Sequence, residues 1–195
     1  EWNIPYIHMK TIDPLVNYET TGYFKINNKT MRFFHTGVSN QDPDDGRRRV
    51  YFPVNKSWLL WHTHSSRDGF WPSFEDLRYG GLVRAQPVNN RKRINVLFTT
   101  YGTWIYKGFN TEISQRQVNC LYNKWKSFHD KMEALTQEKP HWSIDKVDRC
   151  IVDFIEFAKN ILTYHIAFVP NYNKKNNVTT TVYLQKVYDH ILKIA

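Results

Sequence analysis

Cysteine is scarce in this chain of 195 residues. Cys120 and Cys150 stand 30 positions apart, outside any Cys-x-x-Cys pair. A disulfide framework is therefore not expected, and a reducing intracellular setting, cytoplasm or nucleus, is. Long apolar runs are missing too: none approaches the ~20 residues that cross a bilayer. Glycine and proline, at 8 each, are too few for a collagen-like or linker-like chain. The stretch Glu1-Trp2-Asn3-Ile4-Pro5-Tyr6 has no basic segment followed by an apolar one, so no secretory signal is expected. Without one, the glycosylation-type triplets that begin at Asn28, Asn55 and Asn177 read as chance matches. No Gly-x-Ser-x-Gly elbow, phosphate-cradling loop or Gly-x-Gly-x-x-Gly fingerprint is present, which removes the commonest serine-hydrolase and nucleotide-binding readings. Acidic residues are in deficit, with 18 Asp and Glu against 27 Lys and Arg, for a formal charge of +9. The basic clusters at Arg47-Arg48-Arg49, Arg91-Lys92-Arg93 and Lys174-Lys175 are short and scattered. A nucleic-acid stripe is conceivable, and solvated loop charge is the favoured reading.

Aromatics are abundant instead: 7 Trp, 12 Tyr and 12 Phe, within a hydrophobic share of 41%. Such a chain buries enough apolar area to offset its conformational entropy, so a folded domain is expected rather than disorder. The length suits one domain, or one domain with a helical extension.

Residues 21–36 read as a β-hairpin around Asn27-Asn28-Lys29, and 37–49 as a polar loop. A short strand is expected at 50–53. Residues 58–64 read as a buried strand running out into a functional end, and 65–72 as a loop. A short helix over 73–82 is expected to fray at Gly80-Gly81, followed by a second hairpin around Tyr101-Gly102. From 113 to about 137 the apolar spacing is helical, through Leu121, Trp125, Phe128 and Met132. Pro140 interrupts, and Ser143 is placed to cap a second helix with Val147, Ile151, Phe154 and Ala158 on its apolar face. Residues 164–170 read as a strand, and 179–194 fit either a strand or a terminal helix.

The segment from Trp61 to Asp76 carries the chemistry. On a strand, His62 and His64 share a face because side chains alternate with period two, while Thr63 points the other way. Two imidazoles on one face can meet a single metal ion. Eight residues then precede Ser73-Phe74-Glu75-Asp76. In the first turn of a helix, positions i and i+3 lie side by side, so Ser73 and Asp76 can address the same point. Asp76 is the candidate third ligand, and two His plus one carboxylate leave a fourth position open, as in catalytic zinc sites. Taken alone, Ser-x-x-Asp is equally a helix-capping box. Glu19, before Thr20-Thr21-Gly22, is the candidate general base. Asp68 is an alternative ligand, although its place before Gly69 suits an ordinary turn. A metallo-β-lactamase pattern would need Asp and His where Ser66 and Arg67 stand, and the deaminase signature is absent.

Glu19, His62-Thr63-His64 and Ser73-x-x-Asp76, in this order, resemble the motif of the JAMM (MPN+) zinc metalloproteases. Tyr101-Gly102-Thr103-Trp104 resembles a Gly-x-Trp hairpin often found downstream in that family. The resemblance covers roughly residues 15–107. It departs at the His64–Ser73 spacing, eight residues rather than seven, and lacks an evident helix before Glu19. It implies an α+β fold, a mixed central sheet flanked by helices of the cytidine-deaminase-like type. Residues 1–112 would form the catalytic core, with a helical and β C-terminal part at 113–195 packed on it. It implies one Zn²⁺ per chain on His62, His64 and Asp76, Glu19 as general base and Ser73 as oxyanion partner. The implied activity is peptide or isopeptide hydrolysis on a protein substrate, with removal of ubiquitin or a ubiquitin-like modifier foremost. Asp42, Asp44 and Asp45 would meet the arginines of such a tail, or simply pair with Arg47–Arg49. Phe70 and Trp71 would form an apolar wall for substrate, or belong to the core. The alternatives are a catalytically inactive scaffold of the same superfamily and a basic nucleic-acid-associated protein.

Overall fold

A computed structural model of the chain describes residues 19–27, 30–38, 40–41, 48–49, 57–64, 69–81, 93–99, 101–107, 114–137, 142–162, 165–170 and 180–194. The expected first hairpin is present: β1 (Thr20–Asn27) and β2 (Thr30–Val38) pair antiparallel from Thr20↔Val38 to Asn27↔Thr30. The segment expected as a plain loop contains a two-stranded ribbon, β3 (Asn40–Gln41) with β4 (Arg48–Arg49). Pairings this short carry too few residues to show a hydrophobic alternation, so sequence patterning does not announce them. The expected strand at 50–53 lies outside the described residues.

The apolar run at 59–63 becomes β5 (Leu59–Thr63), buried along its whole length. It pairs antiparallel with β1 on one side and parallel with β6 (Ile94–Phe98) on the other. A continuous apolar strand is what a site covered on both faces requires. Parallel pairing needs a crossover, and α1 (Phe74–Gly81) lies within it. This helix ends at Gly81, at the glycine pair expected to weaken it. β7 (Gly102–Lys107) pairs antiparallel with β6, and β8 (His165–Pro170) antiparallel with β7. The result is a six-stranded mixed sheet, β2-β1-β5-β6-β7-β8.

Between β7 and β8 run α2 (Gln115–Gln137) and α3 (Ile144–Leu162), and the ambiguous tail is helix α4 (Thr180–Ile194). Ser114 and Gln117 form a reciprocal capping box at the start of α2. Ser143 caps α3 as expected, its hydroxyl oxygen accepting from the Lys146 N–H. Strand alternation divides the core. Leu97, Trp104, Tyr106 and Ile166 face α1, α2 and α3. Leu59, Trp61, Ile94, Val96 and Ile105 face Val187 and Ile191 of α4. The first of these clusters takes residues from Phe70 through Ile166, so the halves before and after residue 113 share one core. Among the described residues, no helix is long and apolar enough to cross a membrane.

Gly22 is where β1 approaches Trp61. A Cβ there would overlap the Phe34 carbonyl oxygen and sit 2.5 Å from the Trp61 ring. The Trp61 indole N–H donates to the Tyr23 carbonyl at 3.2 Å, so the ring cannot swing away without losing that bond. Gly22→Ala is therefore expected to destabilise the fold by about 3 kcal/mol, the upper end of the overpacking range. Urea unfolding measures it, and a midpoint equal to wild type would show that β1 has room to shift.

Candidate metal centre

His62 occupies β5 opposite Leu97 of β6, on the face that looks toward α1. His64 follows the last strand residue, yet its N–H still donates to the Phe98 carbonyl at 3.1 Å. The ladder is thus prolonged by one residue, and period-two alternation keeps His64 on the His62 side. The two rings lie 5.3 Å apart, centroid to centroid, edge to face. Both are buried, at 2% and 6% exposure.

The start of α1 brings Asp76 over this pair. Asp76 Oδ1 is 3.3 Å from His62 Nε2, and Oδ2 is 3.0 Å from His64 Nε2. The Ser73 N–H donates to Asp76 Oδ2 at 3.0 Å, and the Asp76 N–H donates to Ser73 Oγ at 3.0 Å. The capping box and the ligand set are therefore not rivals, because one carboxylate serves both. The Ser73 hydroxyl, occupied as an acceptor, still has its own proton to give.

His64 Nδ1 lies 3.0 Å from the Gly69 carbonyl oxygen. A carbonyl only accepts, so Nδ1 carries a proton and Nε2 is the ligating atom, an orientation typical of metal-binding imidazoles. Burial alone would lower the His64 pKa. The hydrogen bond and charge of Asp76, the charge of Glu19 and the Gly69 carbonyl outweigh it and raise the value to about 9. For Asp76, burial pushes upward, and the two imidazoles overcome it, holding the carboxyl well below its ordinary range.

Glu19 stands at the rim. Its Oε1 is 4.0 Å from His64 Nε2, and its side chain is 26% exposed, against 14% for Asp76. Sequence reasoning missed the residue that sets this placement. Thr63 points away from the histidines and is fully buried. Its Oγ1 accepts from the Thr20 N–H at 2.9 Å and lies 3.1 Å from Thr20 Oγ1. The Thr21 hydroxyl donates to the Trp61 carbonyl at 3.0 Å. These bonds clamp the first residues of β1, and with them Glu19, to the end of β5. The signal was available: a buried hydroxyl on the core side of a strand needs a partner.

The donor atoms of His62, His64 and Asp76 all lie within 4.8 Å of one another, the group among the described residues that could hold a metal ion. Around a tetrahedral zinc with bonds of about 2.0–2.1 Å, ligand atoms stand about 3.3 Å apart. His62 Nε2 is 3.3 Å from Asp76 Oδ1 and His64 Nε2 is 3.0 Å from Oδ2, so each histidine meets a different oxygen, and closing all three donors on one ion requires the set to draw in from its 4.8 Å span. Two imidazole nitrogens and one carboxylate oxygen suit zinc better than the all-oxygen shells of calcium or magnesium.

Other candidates fare differently. Phe70 and Trp71, expected either as an apolar wall for substrate or as core, are core residues at 5% and 6% exposure, packed with Trp104, Phe128 and Trp142. Their apolar area is worth more against the helices than in water. Asp42, Asp44, Asp45 and Asp68 lie outside the described residues. His129 of α2 accepts a hydrogen bond from the Trp71 indole.

Purified protein is expected to carry about one zinc per chain, and His62→Ala and Asp76→Ala to lose it, since each removes one of three protein ligands. Metal analysis decides, and stoichiometric zinc in Asp76→Ala would remove Asp76 from the ligand set. With its pKa near 9, His64 is protonated at pH 8 and must give up that proton to ligate. Zinc uptake by chelator-treated protein at pH 8 should therefore release the His64 proton in addition to any lost by zinc-bound water, the His64 share fading as the pH passes 9. Calorimetric titration in buffers of different ionisation heat reads this, and a buffer-independent heat would contradict it.

No protein-family model matches this chain, and no curated protein is similar to it, so its chemistry rests on the site's own residues.

Proposed function

We propose that the chain is a zinc-dependent metallopeptidase of the JAMM type. Its substrate class is a protein amide or isopeptide bond, with removal of ubiquitin or a ubiquitin-like modifier as the leading case. The observation that carries the proposal is the convergence of His62, His64 and Asp76 from two elements, with Glu19 4.0 Å from His64 on the more exposed side. His62, His64 and Asp76 would hold the ion. Zinc bound there would supply Lewis acidity, polarising a scissile carbonyl and making water acidic enough to be used at neutral pH.

The chain's own groups do the rest. Glu19 receives the proton of the attacking water at its carboxylate and returns it to the leaving amine. The Ser73 hydroxyl, steadied by the Asp76 N–H, gives its proton as a hydrogen bond to the developing oxyanion. His64 is kept in register by Gly69, and Asp76 by the cap of α1.

Glu19→Gln removes the base while nearly preserving shape. The variant is expected to keep its fold and its zinc, and to lose about 10²–10⁴-fold in turnover of a ubiquitin-like conjugate or a generic peptide. Wild-type turnover in a zinc-loaded Glu19→Gln protein would strike Glu19 from the mechanism.

A further inference from the structure

Between Gly69, whose carbonyl orients His64, and Ser73, which caps α1, lie three residues outside any helix or strand. Each of the three is held by an indole N–H. The Trp104 indole of β7 donates to the Phe70 carbonyl at 2.8 Å. The Trp71 indole donates to His129 Nδ1 of α2 at 3.0 Å. The Trp125 indole of α2 donates to the Pro72 carbonyl at 2.9 Å. An indole nitrogen only donates, so His129 Nδ1 must accept, leaving the ring's proton on Nε2, which lies 3.2 Å from Glu133 Oε1. Trp125 stacks on His129 at 4.8 Å, nearly parallel, so the two α2 contacts support each other.

We propose that Trp125 and His129, together with Trp104, are positioning residues of the metal centre. This rests on the reading of His62, His64 and Asp76 as metal ligands. His64 is gripped at both ring nitrogens by one stretch of chain, Nδ1 by Gly69 and Nε2 by Asp76. Residues 70–72 connect those two grips, so a shift of the stretch moves both at once. No ladder of backbone bonds restrains it, and its buried carbonyls need donors. The indoles supply them from β7 and α2, elements fixed in the core. Groups bonded directly to metal ligands typically change metal affinity about 10–100-fold when removed, and Trp125 and His129, one step further out, fall at the lower end of that range.

A purely structural role would make these residues ordinary core aromatics, and the test must separate the two. Trp125→Phe keeps a ring to stack on His129 and Phe74 but deletes the N–H. His129→Leu deletes the acceptor, and His129→Gln restores one. Both positions lie at the periphery of the core, so these variants are expected to fold. Ile191→Ala, in the cluster on the opposite face of the sheet, destabilises without touching the segment. Zinc affinity is measured by chelator competition on the full chain, and site geometry by the visible absorption of the cobalt-loaded protein. Trp125→Phe and His129→Leu are expected to bind on the order of 10-fold more weakly, with a displaced cobalt band. His129→Gln should return close to wild type, and Ile191→Ala should match wild type in both readouts. Wild-type affinity and spectrum in Trp125→Phe and His129→Leu would overturn the proposal while leaving the metal centre standing. An equal loss in Ile191→Ala would overturn it too, as general destabilisation. A wild-type chain that takes up no zinc would overturn the metal centre itself.

Discussion

The carboxylate of Asp76 is the group on which the arrangement turns. Buried charge is tolerated only where it is paired and hydrogen-bonded. Asp76 meets this with His62 on one oxygen and with His64 and the Ser73 N–H on the other. Its place in the first turn of α1 adds the favourable end of the helix dipole. Because those partners come from β5 and from α1, the helix must begin over the end of the strand. Leu77, one residue on, is buried in the cluster shared with Trp104 and Phe128, so the polar contact and the apolar packing orient α1 together. The helix that presents a ligand is thereby the helix that covers the sheet.

Sheet topology completes the site with little added cost. β5 and β6 run parallel, and β1 runs antiparallel to β5. The residue just before β1 must then lie beside the residue just after β5, and these are Glu19 and His64. Thr20 and Thr63, whose hydroxyls are 3.1 Å apart, tie the two ends. Gly22 lets β1 come close enough to Trp61 for that register to hold. A one-residue slip of β1 would send Glu19 to the other face of the sheet, since side chains alternate with period two.

The parts of this arrangement that were legible in the sequence are those with a local period. His62 and His64 share a face through the two-residue repeat of a strand. Ser73 and Asp76 adjoin through the three-residue step of a helix turn. The stripes of α2 and α3 were visible for the same reason, as was the Ser143 cap. What escaped has no local signature. Trp125 reaches Pro72 across 53 residues and Trp104 reaches Phe70 across 34, and nothing in either neighbourhood marks the partner. Phe70 and Trp71 were left open between substrate wall and core, because an aromatic pair in a loop looks the same whether it faces solvent or a helix not yet positioned, and packing decides for the core. The order of the sheet, with β8 returning beside β7 after two helices, is likewise set by packing between distant segments.

The same geometry bears on why the ion would be there. A structural zinc is closed by four protein ligands and often carries the folding energy of its domain. Here three candidate ligands converge, and Glu19 lies on the exposed flank. Large apolar clusters lie on both faces of the sheet, and neither includes His62 or His64. A proton on His64 pairs with Asp76 by the contact that a cation would replace, as the rise of its pKa to about 9 reflects. Exchange of proton for cation therefore swaps one positive centre for another among groups already within 4.8 Å of one another. A group of three donors with its open side toward Glu19 fits the proposed catalytic role better than the closed shell of a structural zinc.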